Sequence, residues 1–406
     1  MRTWVVAVGV VALAVAGCSS EEPAEQPEAG AAQPGSDLAA EAGSTETEGP
    51  EPRLVIADAH SGRIEVIDLA TEESVHTFDV GNPSSITTIN GRYIVATDDD
   101  EAHVLDPGSW SIDHGDHSHS YTKDPTEIGD LNGDRPAHVI AGDRKVAVFF
   151  DGAGTADVVD FHSLSTGESA IATTIESEPH HGIAVPLADH FLVSTGGTEE
   201  NLPTNLELRD GAGAVVRPLD GQCPELHGEA AFSNYVVVAC DDGVLKVDAA
   251  ADFATTKFPY PPSVTPDNRA WSFAEGSRGS LVAAPTATGV LVLDTKSGEW
   301  VDARTTDEAL SAGVASDGKT VFSVQRDGTF RVFDAVTGAA ISSAPVAGIY
   351  AEDADPAPSI EVSGTRAYVS DPASNSVFEI DYRDGGRVAR TFDLDFTPGS
   401  IGVVGS

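Results

Sequence analysis

The sequence VLVLDTKSG, residues 290–298, decides the fold of this 406-residue chain. Its run of Val and Leu is typical of a buried β-strand, and the Asp that follows opens a turn of Thr, Ser and Gly. The same strand–Asp–turn signature recurs roughly every 45 residues, and another β-rich run precedes each copy. The eight signature aspartates are Asp68, Asp106, Asp160, Asp210, Asp248, Asp294, Asp334 and Asp381.

Repeated units of this length predict an all-β chain folded as a β-propeller, with each unit forming a four-stranded blade. Eight signatures predict eight blades, and seven is the alternative if one unit is degenerate. We expect the propeller domain to span residues 53–406. Its first unit lacks an innermost strand, so the C-terminal FTPGSIGVV (residues 396–404) is expected to pair into the first blade and close the ring.

One interval between signatures is too long for a regular unit. It contains an insertion at residues 109–135, which includes the histidine-rich sequence HGDHSHS. These histidines lie among Gly, Asp and Ser without a strand pattern. We therefore expect a mobile loop, and loops of this length are usually functional or disordered. A loop of this composition is either a weak metal-collecting site or a solvated segment.

The N-terminus predicts a secreted lipoprotein. Residues 1–17 carry Arg2 and an apolar run too short to span a bilayer, followed by Val-Ala-Gly before Cys18. Cleavage and lipidation at Cys18 would hold the protein on the outer face of the cytoplasmic membrane, with the lipid as its only membrane contact. The alternative is an ordinary secretory signal with an incidental cysteine. Residues 18–52 are rich in Glu, Ala and Pro and predict a disordered acidic linker.

The remaining cysteines form an even pair. With Cys18 lipidated, Cys223 and Cys240 are left in an oxidising compartment, where disulfides persist. A turn at residues 233–234 would bring them opposite each other on neighbouring strands, so a disulfide is predicted. Two free buried thiols are the alternative.

The charge of the chain restricts its partners. A formal net charge of −42 argues against binding to nucleic acid or to anionic lipid surfaces. It favours solubility, and we expect a monomer. An acidic or salt-adapted proteome explains the charge equally well, so it decides nothing about metal binding.

Three histidines occupy equivalent positions in successive units. His138, His181 and His227 each lie at the start of an innermost strand, once an insertion of about eight residues in the His181 unit is allowed for. Innermost strands of a propeller meet near its axis, so these imidazoles should converge. Three imidazoles with one further ligand suit zinc. Glu229 is expected as a ligand or as an acceptor behind one, whereas His180 should point to the opposite side of its strand.

Histidines outside the insertion and outside the innermost strands are expected at the surface. These are His60, His76, His103, His162 and His190.

Several of these motifs together resemble the AztD-type zinc metallochaperones. They are HGDHSHSY (114–121), PAHVIAG (136–142) with VAVFFDGAG (146–154), EPHHGIAVPL (178–187), and CPELHGEA (223–230) with VACDDGVL (238–245). The resemblance implies an extracytoplasmic β-propeller that binds Zn²⁺ and passes it to the zinc-specific solute-binding protein of an ABC importer. It also implies a zinc role for His117, His119, His138, His180, His181 and His227. The expected lipid anchor is a difference from this family, because a periplasmic relative would diffuse freely.

The resulting hypothesis is a non-enzymatic protein that stores and delivers zinc. One alternative is a metal-dependent hydrolase resembling the lactonase propellers, although the channel offers mainly histidines and only Glu229 as a carboxylate. The other alternative is a non-catalytic interaction scaffold in which the histidines are incidental.

Overall fold

The computed structural model describes residues 41–406, apart from residues 82, 84, 277 and 352–354. The predicted signal peptide, Cys18 and most of the predicted linker lie outside the described residues, so those expectations stay predictions. Among the described residues, no helix has the length and apolar composition needed to cross a bilayer.

The regular secondary structure of the described residues is almost entirely short strands. Those of the N-terminal half, in chain order, are β1 (Thr45–Thr47), β2 (Arg53–Asp58), β3 (Arg63–Asp68), β4 (Ser74–Asp79), β5 (Ser85–Ile89), β6 (Tyr93–Thr97), β7 (Glu101–Asp106), β8 (Ser109–Asp113), β9 (Ser118–Thr122), β10 (Thr126–Asn132), β11 (Pro136–Ala141), β12 (Lys145–Phe150), β13 (Thr155–Asp160), β14 (Ile171–Glu176), β15 (Ala184–Leu187), β16 (His190–Thr195), β17 (Asn205–Arg209) and β18 (Val215–Pro218).

The C-terminal half continues in the same way. Its strands are β19 (Glu229–Phe232), β20 (Tyr235–Cys240), β21 (Gly243–Asp248), β22 (Ala254–Pro259), β23 (Ala274–Glu275), β24 (Leu281–Thr286), β25 (Gly289–Asp294), β26 (Glu299–Arg304), β27 (Ala309–Val314), β28 (Thr320–Gln325), β29 (Thr329–Asp334), β30 (Ala340–Pro345), β31 (Ile360–Ser363), β32 (Arg366–Asp371), β33 (Ser376–Asp381), β34 (Arg387–Asp393) and β35 (Pro398–Val404). Short helical segments are α1 (Phe161–Ser165) and two 3₁₀ turns, Ala249–Ala251 and Pro266–Asn268.

Within the described residues the strands form eight four-stranded antiparallel sheets and one three-stranded sheet. Six of the four-stranded sheets use consecutive strands: β11–β14, β15–β18, β19–β22, β23–β26, β27–β30 and β31–β34. A seventh has the order β5-β6-β7-β10, and the eighth has the order β35-β2-β3-β4. The predicted all-β repeat is confirmed, and this succession of four-stranded sheets has the architecture of a β-propeller.

The hydrophobic core lies between successive sheets, because each sheet buries apolar side chains on both faces. The sheet that contains β2 shares one buried cluster with the sheet that contains β33, formed in part by Leu54, Ile56, Tyr368, Val377 and Phe392. On its other side the same sheet packs against the sheet that contains β6. Strand β35 pairs antiparallel with β2, with Val403 opposite Leu54.

The signature aspartates are turn caps, as their sequence context predicts. A carboxylate oxygen of Asp68 accepts hydrogen bonds from the backbone N–H groups of Ala70 and Thr71, both at 2.8 Å. Asp334 accepts in the same way from Val336 at 3.1 Å and Thr337 at 2.7 Å. An Asp at the end of a strand thus holds the following turn in place.

The expectation of a strandless loop at residues 109–135 is wrong. Strands β8 and β9 form a hairpin with Ile112 opposite His119, and β10 is the outermost strand of the second unit. The hairpin has its own small core, in which Trp110 stacks on Tyr121 with 5.5 Å between ring centroids. The sequence hides these strands because small polar residues replace the usual β-branched ones.

The predicted boundary between linker and domain, at residue 53, is too late. Strand β1 lies within the predicted linker and pairs antiparallel with β9, and together with β8 it makes up the three-stranded sheet. Strand β1 (Thr-Glu-Thr) has no apolar periodicity of its own, so its conformation depends on the edge that β9 offers.

Candidate metal centre

Three imidazoles converge where the innermost strands of three successive sheets begin. His138 lies on β11, His181 shortly before β15, and His227 shortly before β19. The ring centroids of His138 and His181 are 4.8 Å apart, those of His181 and His227 5.1 Å, and those of His138 and His227 5.9 Å. One nitrogen of each ring lies within 4.8 Å of the other two. We call these three residues the histidine triad.

His138 is held from behind by a carboxylate. Its Nδ1 atom lies 3.3 Å from Glu229 on β19, and its Nε2 atom lies 3.2 Å from Nε2 of His181. Glu229 therefore acts as a hydrogen-bond acceptor for a triad histidine, which is one of the two roles expected for it. The candidate ligand atoms that converge in the triad are imidazole nitrogens.

His181 has a carboxylate partner that the sequence analysis did not identify. Its Nδ1 atom lies 2.6 Å from Oδ2 of Asp151, which directly follows β12. The other oxygen of Asp151 accepts a hydrogen bond from the backbone N–H of Gly182 at 3.2 Å. Both contacts fix the ring of His181 and the chain that carries it. In the sequence, Asp151 opens DGAG and is indistinguishable from an ordinary turn aspartate.

His227 is held by backbone groups. Its ring Nδ1 atom donates to the carbonyl oxygen of Trp271 at 2.7 Å. Its backbone N–H donates to the carbonyl oxygen of Ala239 at 3.1 Å. The next residue, Gly228, has a φ of +84°, and a Cβ atom there would lie 2.5 Å from the carbonyl oxygen of Trp271. A glycine is therefore required for Trp271 to come this close to His227.

A disulfide secures the segment that carries His227. Cys223 and Cys240 are bonded, as predicted, and both are fully buried. Strand β20 ends at Cys240, next to the Ala239 carbonyl that binds His227. The covalent link thus ties the approach to β19 against β20.

These acceptors determine which nitrogen each triad ring offers. A neutral imidazole carries one N–H, and an acceptor at Nδ1 places the proton there and leaves the Nε2 lone pair free. Glu229, Asp151 and the Trp271 carbonyl do this for the three rings, which leaves the three Nε2 atoms as the nitrogens available to an ion. A tetrahedral ion with metal–nitrogen bonds of about 2.0–2.1 Å separates its ligand nitrogens by roughly 3.3 Å. The observed 3.2 Å between His138 and His181 fits such an ion.

The electrostatics of the triad are asymmetric. Burial disfavours the imidazolium form of His138, but the charge and hydrogen bond of Glu229, with the charge of Asp151, outweigh it and raise the pKa of His138. Burial lowers the pKa of His227, and the two neighbouring imidazoles act in the same direction. Burial alone would raise the pKa of Glu229, but the triad imidazoles reverse this and lower it, so that its carboxylate stays ionised.

His180 does not join the triad. It is buried, and its two ring nitrogens contact the carbonyl oxygen of Glu178 at 2.6 Å and Oγ of Ser194 at 2.8 Å. With both nitrogens engaged by protein groups, this imidazole has no lone pair to offer the triad. The expectation that His180 points away from His181 holds, and its inclusion among the metal ligands is not supported by this geometry.

A second group of imidazoles lies at the tip of the β8–β9 hairpin. His117 and His119, expected from the sequence, lie with His114, and one nitrogen of each ring lies within 4.8 Å of the other two. Nδ1 of His117 is 2.7 Å from Asp116, and Nδ1 of His119 is 2.7 Å from Glu46 on β1. We call these three histidines the hairpin cluster. Two of them, His114 and His117, are exposed, whereas all three triad residues are half-buried.

The expectation that His103 lies at the surface is wrong, because the structure buries this ring. Its Nδ1 atom is 2.7 Å from Asp130 and its Nε2 atom 3.4 Å from Asp98. Burial opposes protonation, but these two carboxylates outweigh it and raise the pKa of His103. Since Asp130 lies directly opposite His103, the ion pair joins β10 to β7.

Comparison with known proteins supports the sequence resemblance. No protein-family model matches the chain. Over 350 residues it is 25% identical to a Citrobacter koseri protein described as zinc chaperone AztD, covering 81% of each chain. The crystal structure of Citrobacter koseri AztD has a TM-score of 0.80 at 23% identity, and covers 88% of this chain and 98% of its own. The resemblance to the AztD-type zinc chaperones is confirmed.

The likeness to AztD concerns the whole arrangement of sheets. A structure of apo AztD from the same organism gives a TM-score of 0.79 at 22% identity, with the same coverage of both chains. At this level of identity, the likeness to the AztD structures establishes a shared fold. The roles of individual side chains rest on the distances given above.

Proposed function

We propose that this protein is a zinc chaperone that binds Zn²⁺ at the histidine triad and delivers it to the solute-binding protein of a zinc ABC importer. One observation carries the proposal: one nitrogen of each triad ring lies within 4.8 Å of the other two, and each ring has an acceptor at its Nδ1 atom. Similarity to a protein described as zinc chaperone AztD supports zinc as the ion.

The triad is suited to holding an ion and then releasing it. Three neutral imidazoles leave the fourth position of a tetrahedral zinc open. The His181 side chain is 38% exposed, so an incoming ligand reaches that position from solvent. The carboxylates of Glu229 and Asp151 offset the charge of the ion without binding it. Transfer then proceeds by stepwise exchange of imidazoles for ligands of the acceptor protein.

The hairpin cluster serves as a second, more accessible zinc site. Its three imidazoles are exposed or half-exposed. The carboxylates of Asp116 and Glu46 accept hydrogen bonds from the Nδ1 atoms of His117 and His119, as Glu229 and Asp151 do in the triad. An exposed site exchanges ions faster than a mostly buried one, so the hairpin cluster collects zinc or presents it to the partner.

The same geometry favours a chaperone over a hydrolase. Metal-assisted hydrolysis needs a general base within reach of the metal-bound water. Among the described residues around the triad, the Glu229 and Asp151 carboxylates are each engaged with an imidazole Nδ1 atom. A screen of lactones and esters with zinc-loaded protein tests this, and metal-dependent turnover would favour the hydrolase.

We also infer an architecture and a location. The eight four-stranded sheets are the blades of a closed ring, supported by the pairing of β35 with β2 and by the core shared between the first and last sheets. The mature monomer is held by a lipid on Cys18 at the outer face of the cytoplasmic membrane, supported by the Val-Ala-Gly-Cys sequence at residues 15–18. Mass spectrometry of a Cys18→Ala variant and the wild type tests the anchor.

A titration of metal-free protein with zinc, against a competing chelator, tests the central proposal. His138→Ala and His227→Ala should each abolish tight binding, because two imidazoles hold zinc far less firmly than three. His162→Ala is the matched control, since His162 is exposed on α1, outside both histidine groups. Tight binding that survives in both triad variants would refute the proposal.

A further inference from the structure

The chain N-terminal to the first four-stranded sheet contacts the hairpin at two points. Its strand β1 pairs with β9, so that Glu46 lies opposite Tyr121 and Thr47 opposite Ser120. Further upstream, Glu41 binds Arg92 through both carboxylate oxygens, at 2.6 and 2.7 Å, and binds Lys123 at 3.1 Å. Residues 41–47, which we call the N-terminal clasp, are therefore fastened at both ends.

The clasp is anchored on a buried ionic network. Arg92 is 0% exposed and also binds Asp106 at 2.7 Å, while Lys123 lies 2.8 Å from the same carboxylate. The Arg92 guanidinium stacks 3.7 Å from the ring centroid of Trp110 in the hairpin core. Glu41 thus supplies one of the two negative charges that balance two cations beneath the hairpin.

This anchoring places one clasp side chain against a metal-ligand candidate. In an antiparallel pair, side chains that are directly opposite and two residues further along lie on one face of the sheet. Tyr121 is opposite Glu46, and His119 is two residues from Tyr121, so the Glu46 carboxylate reaches the His119 ring. The distance from Oε1 of Glu46 to Nδ1 of His119 is 2.7 Å.

We propose that Glu46 is a positioning residue of the hairpin cluster, and that the N-terminal clasp is thereby a part of this zinc site. Glu46 accepts the Nδ1–H of His119 and leaves its Nε2 lone pair free to face His114 and His117. The ring centroids of those two lie 5.4 and 5.0 Å from that of His119. The inference rests on the proposed zinc-binding function of the hairpin cluster.

The experiment isolates the hairpin cluster in the full-length chain. His138→Ala, His181→Ala and His227→Ala together remove the triad, and the remaining zinc affinity is measured by chelator competition. In this background we expect Glu46→Ala to weaken zinc binding about tenfold, which is the lower end of the range for removing the hydrogen-bond acceptor of a metal-binding histidine. We expect the lower end because the Glu46 side chain is 56% exposed, so that solvent screens its interaction with His119. Glu46→Gln, which keeps an acceptor oxygen, should recover most of the affinity. Glu48→Ala, also exposed and two residues away, is the matched control.

A second measurement does not depend on the triad variants. Long-range ¹H–¹⁵N NMR of the ring nitrogens of His119 reports which nitrogen carries the proton. In an otherwise wild-type chain, we expect the proton on Nδ1, and a mixture of the two tautomers after Glu46→Ala. Retention of the wild-type tautomer in that variant would overturn the proposal.

The outcomes separate this inference from the function on which it rests. If His119→Ala abolishes binding at the hairpin while Glu46→Ala matches Glu48→Ala, the hairpin is a zinc site and Glu46 does not position it. If His119→Ala also has no effect, the hairpin cluster is not a zinc site, and both proposals fail.

Discussion

Nδ1 of His181 lies 2.6 Å from Oδ2 of Asp151, a residue that follows a strand of the preceding sheet. The same carboxylate binds the backbone of Gly182. One aspartate therefore fixes the ring of His181, its tautomer and the chain that carries it. This contact makes Asp151 an informative residue to change while the three triad histidines stay in place.

Asp151→Ala should weaken zinc binding by about 10- to 100-fold, the usual effect of removing an acceptor behind a histidine ligand. The physical reason is that Nδ1 loses its proton acceptor, so that the Nε2 tautomer competes and the ring turns more freely. Chelator competition measures the affinity. Asp189→Asn is the control, because its exposed carboxylate contacts Arg144 at the surface and is not part of the triad. Equal affinities in the two variants would contradict this role.

The position of the triad was predictable from sequence, because its histidines recur at one place in successive repeats. Each repeat folds through local strand pairing, so a residue at the start of an innermost strand has a known location once the unit is recognised. His138, His181 and His227 follow this rule. The turn-capping role of the signature aspartates was predictable for the same reason, because each aspartate binds backbone N–H groups of the turn that directly follows it.

The groups behind the triad were not predictable in the same way. Asp151 acts across a sheet boundary on a residue of the next unit, and in sequence it resembles the turn aspartates. The acceptor for His227 is the backbone carbonyl of Trp271. Every residue type has a backbone carbonyl, so the sequence does not indicate this contact. Strand β1 and the hairpin were missed because their pairing depends on tertiary contacts with Arg92 and Trp110, and not on apolar periodicity.

Zinc affinity should fall with decreasing pH, starting above the ordinary histidine pKa of about 6.5. Zinc binds the neutral imidazole, and the Glu229 and Asp151 carboxylates raise the pKa of His138, so a proton competes with zinc for this ring already above the ordinary histidine value. Glu229→Gln removes the larger of the two charges that raise the pKa of His138, so that the effect of burial, which lowers this pKa, is opposed by Asp151 alone among the carboxylates. The onset of weakening should then move to lower pH.

Affinity titrations across about pH 5–8, with NMR of the His138 ring, measure both effects. An onset that does not move in Glu229→Gln would count against Glu229 as the cause.

Loss of the Cys223–Cys240 disulfide should reduce both stability and zinc affinity. The bond closes a loop with a sequence separation of 17, and removal of such a bridge costs roughly 2–5 kcal/mol in the free energy of unfolding. The freed segment carries His227, so the Cys223→Ala/Cys240→Ala variant should also bind zinc more weakly. Chemical denaturation and chelator competition give the two values. A stability loss without any change in affinity would show that the bridge does not support the metal site.

Glu41→Ala should lower the free energy of unfolding by roughly 1.5–3 kcal/mol, the range for hydrogen bonds to charged groups. The variant leaves Arg92, which is fully buried, with Asp106 as its remaining carboxylate partner, shared with Lys123. Glu48→Ala is the control and should change stability by less than about 0.5 kcal/mol, as exposed substitutions usually do. If both variants unfold alike, the clasp is not anchored through Glu41.

Gly228→Ala should weaken zinc binding, and Gly167→Ala should not. The two glycines have nearly the same backbone conformation, with φ of +84° and +82°, so both substitutions impose a similar left-handed strain. A Cβ atom at residue 228 would lie 2.5 Å from the Trp271 carbonyl oxygen. Around a Cβ atom at residue 167, no heavy atom of the described residues lies within 4 Å, apart from those of the glycine and its two chain neighbours.

Only the first substitution therefore pushes away the acceptor that orients His227. Melting temperatures measure the shared strain, and chelator competition isolates the effect on the triad. Equal zinc affinities at matched stability would mean that the Trp271 carbonyl does not control the His227 ring.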